Sequence, residues 1–514
     1  MHSYEPLSLT EASLAPSGSR GGLSTGTLSS PNELDDSMTD TVQPVRLFPK
    51  PRVTFALDDD VEGGTPSVQA PRGMTVLSNN LQVPITRPPT KPRDSLFAFA
   101  FFAHFVVVGL LGLFEGERSM ESAVFDYSNA GSWSSMIMIV ILLGSFCGIA
   151  ACFVIAYYDA RETILSIGIL LSITLQACLG NVLLILKSRY SFLGIFVLVS
   201  AMIDSLSYKK AKDGISFTSA LIQMVIDIFK GYGVSLVLAC GGILIAQTFL
   251  LLWWGAFFVD LISSISSTYA EYLVLFMAFS LFWIANFFHA FVSYLVGGCV
   301  LWHFVKQADE GLAPGKRVLL HLHCGFTSGL GSICKGALFC PLSQRVLSVH
   351  NWARDARFSS HSLSNQFRNV VLSAVFPLVK YARRYHRLTF CLTATYGRTL
   401  RKAAEEQMEA HPETVDLSVE DNTHFTLAAT ATELAGLISI TFGVVAERRE
   451  GPSWPLFFFV CFCLAYCGLS LAVHTFNSAI DALIVAFAAQ PQRFAQENQI
   501  VFLRWVRSSE ASLR

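Results

Sequence analysis

Apolar residues in this chain gather into long runs, with polar residues confined to the gaps. The runs cover approximately Leu96–Phe114, Met136–Tyr157, Thr163–Leu186, Phe192–Leu206, Gly233–Val259 and Tyr272–Phe304, then Phe425–Ala446 and Leu456–Ala489. Two weaker runs lie at Phe326–Leu342 and Leu363–Val379. A helix needs about 20 apolar residues to cross the hydrocarbon core of a bilayer, and most of the runs meet that length. Lipid offers no partner to backbone N–H and C=O groups, so each crossing segment has to be helical. The pattern predicts an all-α fold: a polytopic transmembrane helical bundle of about ten spans, or eight if the two weak runs do not cross.

One run breaks the apolar rule from within. At 100° per residue, Trp283, Asn286, His289, Ser293 and Gly297 share one side of the Tyr272–His303 helix, and Phe287, Phe288, Phe291 and Leu295 share the other. Lipid cannot satisfy an amide and an imidazole, so the polar stripe is expected to face protein or a water-filled cavity. It serves either as hydrogen-bonding glue between helices or as the wall of a solute path. Trp283 and Tyr294 flank it, and Trp253 and Trp254 lie in the preceding run. A quaternary ammonium ion has no N–H to donate and is held by aromatic faces with a nearby carboxylate or dipole, so an aromatic-lined path suits it better than a sugar. Tryptophan near span ends is also ordinary interface anchoring. Two acids sit inside runs, Glu433 and Asp481, the latter four residues after Asn477. Each is read either as a charge partner for a solute or as a structural hydrogen-bonding group. The candidate binding set is therefore Trp283, Asn286, His289, Ser293, Tyr294, Trp253 and Glu433.

Composition agrees with the membrane reading. Of 514 residues 52% are hydrophobic and 15% charged, against about 25% charged in soluble domains, and the mean hydropathy is +0.48. A net charge of −1 gives no sign of a nucleic-acid partner. Residues 1–93 hold 12 of the 19 prolines and many Ser, Thr and Gly; they predict a disordered tail with no signal-peptide pattern. Positive charge orients the chain. Arg87, Lys91 and Arg93 place that tail in the cytoplasm, and the acidic loop with Glu115, Glu117, Glu121 and Asp126 reads as external. Lys209, Lys210 and Lys212 then fall inside, as do Arg493, Arg504 and Arg507 at the other end, whereas Lys187 and Arg189 fall outside against the rule. The region 306–424 is basic throughout, which is why its two weak runs leave the count at eight or ten. Cytoplasmic helices are predicted over 214–230, with Phe217, Leu221, Met224 and Ile228 at helical spacing, and over 396–410. A transporter-like domain thus occupies 94–505, with a short tail at 506–514.

Other chemistries find little footing. The twelve cysteines lie mostly in apolar runs, with no paired C-x-x-C pattern, so neither a disulfide framework nor a zinc site is expected. The stretch Gly325-Phe-Thr-Ser-Gly-Leu-Gly-Ser-Ile-Cys-Lys335-Gly lacks the Lys-Ser/Thr pair and the strand–helix setting of a phosphate loop, and reads as helix packing or a re-entrant turn. Gly144/Gly148 and Gly325/Gly329 have the spacing that lets helix backbones approach closely. No nucleophile–base set, metal cluster or cofactor motif is visible, and an enzyme is not expected.

Five blocks carry a family resemblance. They are Ile215-Ser-Phe-Thr-Ser-Ala-Leu-Ile-Gln-Met-Val-Ile-Asp, Asn286-Phe-Phe-His-Ala-Phe-Val-Ser-Tyr-Leu-Val-Gly-Gly, Leu330-Gly-Ser-Ile-Cys-Lys-Gly-Ala-Leu, Thr395-Tyr-Gly-Arg-Thr-Leu-Arg-Lys-Ala-Ala and Asn477-Ser-Ala-Ile-Asp-Ala-Leu-Ile-Val-Ala-Phe-Ala-Ala-Gln-Pro. In this order they resemble the choline transporter-like proteins, especially the fungal and protist branch with a short first outer loop. The chain departs from that pattern at Lys335, where the family has an apolar aromatic, and at Ala489 and Gln490, where it usually has two acids. A third departure is Ala290-Phe-Val, in place of Val-Thr-Val. The resemblance implies ten spans, cytoplasmic termini, a place in the plasma membrane, and movement of choline or a related organic cation by facilitated diffusion or exchange. The competing expectation is a non-transporting membrane scaffold acting through its cytoplasmic tail.

Overall fold

Hydrocarbon forces each crossing segment to satisfy its own backbone, and among the described residues every element is helical. The computed structural model describes residues 92–122, 127–157, 161–185, 191–264, 270–305, 313–355, 362–410, 427–428, 431–432, 434–442, 454–499 and 501–503. The predicted tail, apart from Pro92 and Arg93, and the acidic residue Glu433 lie outside them, as does everything from Arg504 onward, including the short tail at 506–514.

The helices are α1 (Ser95–Ser122), α2 (Tyr127–Tyr157), α3 (Arg161–Ile185), α4 (Ser191–Tyr232), α5 (Val234–Ser264), α6 (Ala270–Val305), α7 (Pro314–Phe326), α8 (Leu330–Asp355), α9 (Ser362–Ala382), α10 (Thr389–Tyr396), α11 (Leu400–Ala410), α12 (Trp454–Ala489) and α13 (Pro491–Glu497). Residues 434–442 are helical as well. Among the described residues, four stretches are long and apolar enough to cross a membrane: Ser135–Tyr157, Val234–Phe258, Leu275–Val305 and Phe459–Ala489. Shorter apolar helices cover Ser95–Leu111, Glu162–Cys178 and Leu372–Ala382. The chain is a helical membrane bundle. Its outer helices present bare hydrocarbon, with Phe102 and Val106 of α1, Phe146 and Phe153 of α2, and Leu238 and Phe249 of α5 all exposed.

The centre is α6 and α12, whose apolar stretches are the most enclosed of the four. Around α6 stand α5, α7, α8, α10 and α12. On the far side of α12, α2 packs through small residues. A methyl group added at Gly144 would lie 2.9 Å from the Ala465 Cα, and one at Gly148 would lie 3.0 Å from the Ala472 Cβ. Gly468 of α12 answers from the other side, where an added Cβ would lie 2.9 Å from the Ser145 backbone nitrogen. Association of helices in lipid gains little from hydrophobicity, so such close backbone contact is what dispersion can act on.

Three local features differ in detail from the sequence expectations. The run 192–206 and the helix 214–230 form one unbroken 42-residue helix, α4, because Gly214 alone weakens a helix without stopping it. The stop comes at Gly233, in the left-handed region at φ 62. The glycine-rich stretch is divided: α7 ends at Phe326, the Gly329 N–H returns to the Cys324 carbonyl at 2.7 Å, and α8 starts at Leu330. The 396–410 helix is split in the same way by Gly397 at φ 64, with α11 beyond it.

Gly144→Val is expected to force α2 off α12 and destabilise the bundle by about 1–3 kcal/mol, the usual cost of overpacking. Gly242→Ala has open space at its Cβ position and should leave the thermal unfolding midpoint in detergent unchanged. Equal midpoints for the two variants would contradict this packing.

Candidate functional site

The polar stripe of α6 divides between two surroundings. His289 and Ser293 face α12. The His289 Nε2 shares a hydrogen bond with the Ser470 hydroxyl at 3.1 Å, and the Ser293 hydroxyl bonds the His474 Nε2 at 2.8 Å and the Ser478 hydroxyl at 3.1 Å. The rings of His289 and His474 lie 4.8 Å apart. Residue pairs 289/470 and 293/474 keep one constant offset, so α6 and α12 run parallel, turn for turn. Gly297 continues this side; a Cβ there would meet the Cys391 Cβ of α10 at 3.0 Å and the Ser478 carbonyl at 3.7 Å. Asn286 turns back on its own helix, donating to the Phe282 carbonyl at 2.8 Å.

Trp283 and Tyr294 look the other way. The Trp283 indole donates to the Cys334 carbonyl of α8 at 3.2 Å. Its ring meets Phe101 and His104 of α1, with centroids 5.3 and 5.4 Å apart. Trp253 joins the same wall from α5, 5.8 Å from Phe105, which in turn lies 4.9 Å from Phe101. The structure thus brings Trp253 and Trp283 into one aromatic cluster built on α1. Tyr294 is fully buried against the turn between α7 and α8, its ring about where a Cβ at Gly329 would be, at 3.0 Å.

His104 sits inside the aromatic cluster, with Phe105, Phe276 and Phe279 also within 6.3 Å of its ring centre. The Phe101 carbonyl, one turn back, is the acceptor in reach of one ring nitrogen, and neither nitrogen makes a hydrogen bond of good geometry among the described residues. A buried imidazole with spare hydrogen-bonding capacity among aromatic faces is costly unless something uses it.

Asp481 has a partner. Its carboxylate lies 2.8 Å from the Arg387 Nε, with both side chains largely buried. Burial pushes the neighbouring His386 imidazole down to about 4, while the Asp481 carboxylate pulls the other way. The direct contact makes Arg387 the charged partner, and this acid belongs to a clamp between α12 and the segment before α10. Glu433, the other sequence candidate, lies outside the described residues.

Sequence reasoning did not single out His104, Ser470, His474 or Ser478. A lone histidine in the apolar run Phe101–Val108 was the visible signal for the first. Ser470, His474 and Ser478 repeat every four residues, a stripe matching that on α6, and this spacing was the signal for the others.

Comparison with known proteins gives these helices a setting. A sequence family described as plasma-membrane choline transporter matches residues 195–492, which run from α4 through α12 and hold both sides of the polar seam. Protein PNS1 of Kluyveromyces lactis is 24% identical over 475 residues, covering 82% of this chain and 83% of that protein. Protein PNS1 of Debaryomyces hansenii is 20% identical over 371 residues, covering 66% and 70%. Protein PNS1 of Gibberella zeae is 24% identical over 339 residues, covering 59% of each.

Arg387→Met should leave the Asp481 carboxylate buried without its guanidinium and cost about 3–5 kcal/mol of stability. The double change Arg387→Met with Asp481→Asn is expected to recover most of that loss. Thermal unfolding of the purified variants reads both, and an unchanged midpoint in Arg387→Met would refute the clamp.

Proposed function

The chain belongs to the plasma-membrane choline transporter family, and we propose that it carries choline or a closely related organic cation across the plasma membrane, by facilitated diffusion or exchange. The observation that carries this reading is the division of α6 into a hydrogen-bonded seam on one side and an aromatic wall on the other. A quaternary ammonium head is stabilised by the faces of Trp283 and Trp253, with Tyr294 further along the helix; each such contact contributes about 0.5–2 kcal/mol. His104 supplies an acceptor for the hydroxyl of choline, a group that aromatic faces alone leave unpaired. Asn286, His289 and Ser293 back this wall from the seam side of α6, and Glu433 supplies the balancing negative charge. No catalytic step is needed: the solute leaves as it entered.

The topology that goes with this reading has ten spans and both termini in the cytoplasm. The parallel run of α6 and α12 is compatible with this count and with the eight-span alternative alike, because an odd number of crossings must separate two parallel spans. Three intervene in the ten-span arrangement, and one in the eight-span alternative.

The purified protein in liposomes is expected to take up choline faster than empty vesicles, and Trp283→Ala should weaken choline about tenfold in KM, in line with the loss of one well-desolvated cation–π contact. His104→Ala should impair choline more than tetramethylammonium, which has no hydroxyl. Uptake no faster than in empty vesicles under several ion gradients would refute the transport reading.

A further inference from the structure

Lys335 stands where the family pattern has an apolar aromatic, and its ammonium is not spent on solvent. Its Nζ lies 3.1 Å from the Asp94 Oδ1, and 5.5 and 5.7 Å from the ring centres of Phe97 and Tyr385. Ser332 donates to the other carboxylate oxygen of Asp94 at 2.8 Å. Phe339 backs both rings, 5.9 Å from Phe97 and 5.2 Å from Tyr385. One carboxylate beside two aromatic faces is the arrangement that recognises an ammonium ion in general.

The site is also held in shape. Asp94 adopts a left-handed backbone conformation, φ 48, which Asp tolerates better than most residues. The Arg93 and Asp94 carbonyl oxygens press on Gly331 so closely that no Cβ fits there. The Arg93 N–H bonds the Ser328 carbonyl at 3.0 Å, and its guanidinium reaches the Arg398 carbonyl at 3.2 Å. The start of α1 is thereby fastened to the turn before α8 independently of the lysine. The Asp94 and Lys335 side chains keep 17% and 13% of their exposure, so the site is open to solvent at its edge. Asp94 and Phe97 precede the stretch matched by the transporter family.

We propose that Asp94, Phe97, Ser332 and Tyr385 form a second binding site for a small organic cation, which the ammonium of Lys335 fills as a tethered competitor. A solute cation enters by displacing that ammonium, exchanging its hydrogen bond to Asp94 for a larger contact with the two rings. The identity of the displacing ligand rests on the transport reading above. The site itself does not, because binding can be read without transport. If Lys335 occupies the site about nine-tenths of the time, the apparent affinity of a competing cation is reduced about tenfold.

The test titrates full-length protein in detergent with tetramethylammonium by calorimetry. Lys335→Met is expected to bind about tenfold more tightly than the unaltered chain, and adding Asp94→Asn should abolish that gain. Lys335→Met binding no more tightly than the unaltered chain, or binding equally with and without Asp94→Asn, would overturn the proposal. If Lys335→Met is not monodisperse on size exclusion, Lys335→Ala, which also vacates the contact with Asp94, takes its place in the same comparison. A wild-type protein that fails to take up choline in liposomes would count against the transport reading and leave this comparison standing.

Discussion

The contact that the rest of the bundle depends on is the hydrogen-bonded seam between α6 and α12. Two histidines and three serines share one interface; Ser470 and Ser478 also donate to carbonyls of their own helix, while the imidazoles and Ser293 find their partners across the seam. His289 needs Ser470, and Ser293 needs His474 and Ser478. A slip of one residue along either helix would rotate these groups by 100° and strand them in hydrocarbon. Register is therefore set here, and other helices take positions from it. Gly297 lets α10 in against α6, and Gly144 and Gly148 let α2 in against the back of α12. Hydrogen bonds between helices in membranes contribute on average only ~0.6 kcal/mol each. Their part is specificity of alignment more than gross stability.

That alignment leaves the other flank of α6 free for different chemistry. Trp283, Phe287, Phe291 and Tyr294 form a face turned toward α1, α7 and α8, with Phe101 stacked on Phe287 at 4.5 Å. Aromatic faces attract a cation without asking it for hydrogen bonds, and they do not hold it by directional bonds that must all break together. A wall of this kind suits passage. The seam behind it is directional and suits fixed geometry. One helix thus supplies a rigid side and a permissive side to the same bundle.

Much of this was legible from the chain. Membrane-length runs gave the helices, and the 100° wheel brought the polar residues of α6 to one side. What the wheel did not give was the split. Trp283 and His289 stand 120° apart, enough for one to reach α1 and the other α12, and a stripe drawn from sequence has no neighbours to divide it. The partners across the seam lie 181 and 185 residues away, a distance at which local pattern carries no pairing information. Asp481 was recognised as costly, yet its companion Arg387 looked like one more basic residue in a basic region. Lys335 looked like a departure from the family pattern; only the approach of Asp94, from 241 residues earlier, explains how a charge is accommodated there.

The unbroken α4 has a mechanical consequence. Forty-two residues at 1.5 Å each make a rod about 63 Å long, roughly twice the thickness of the hydrocarbon core. It packs against α3, while its far end buries Leu221, Ile222 and Val225 among the central helices. A hinge between a span and its interfacial helix would let each half relax separately. A stiff rod does not: a tilt of a few degrees at one end becomes a displacement of several ångströms at the other. A displacement at the α3 end of such a rod would be carried, by leverage, toward the end that packs on α5, α7 and α12.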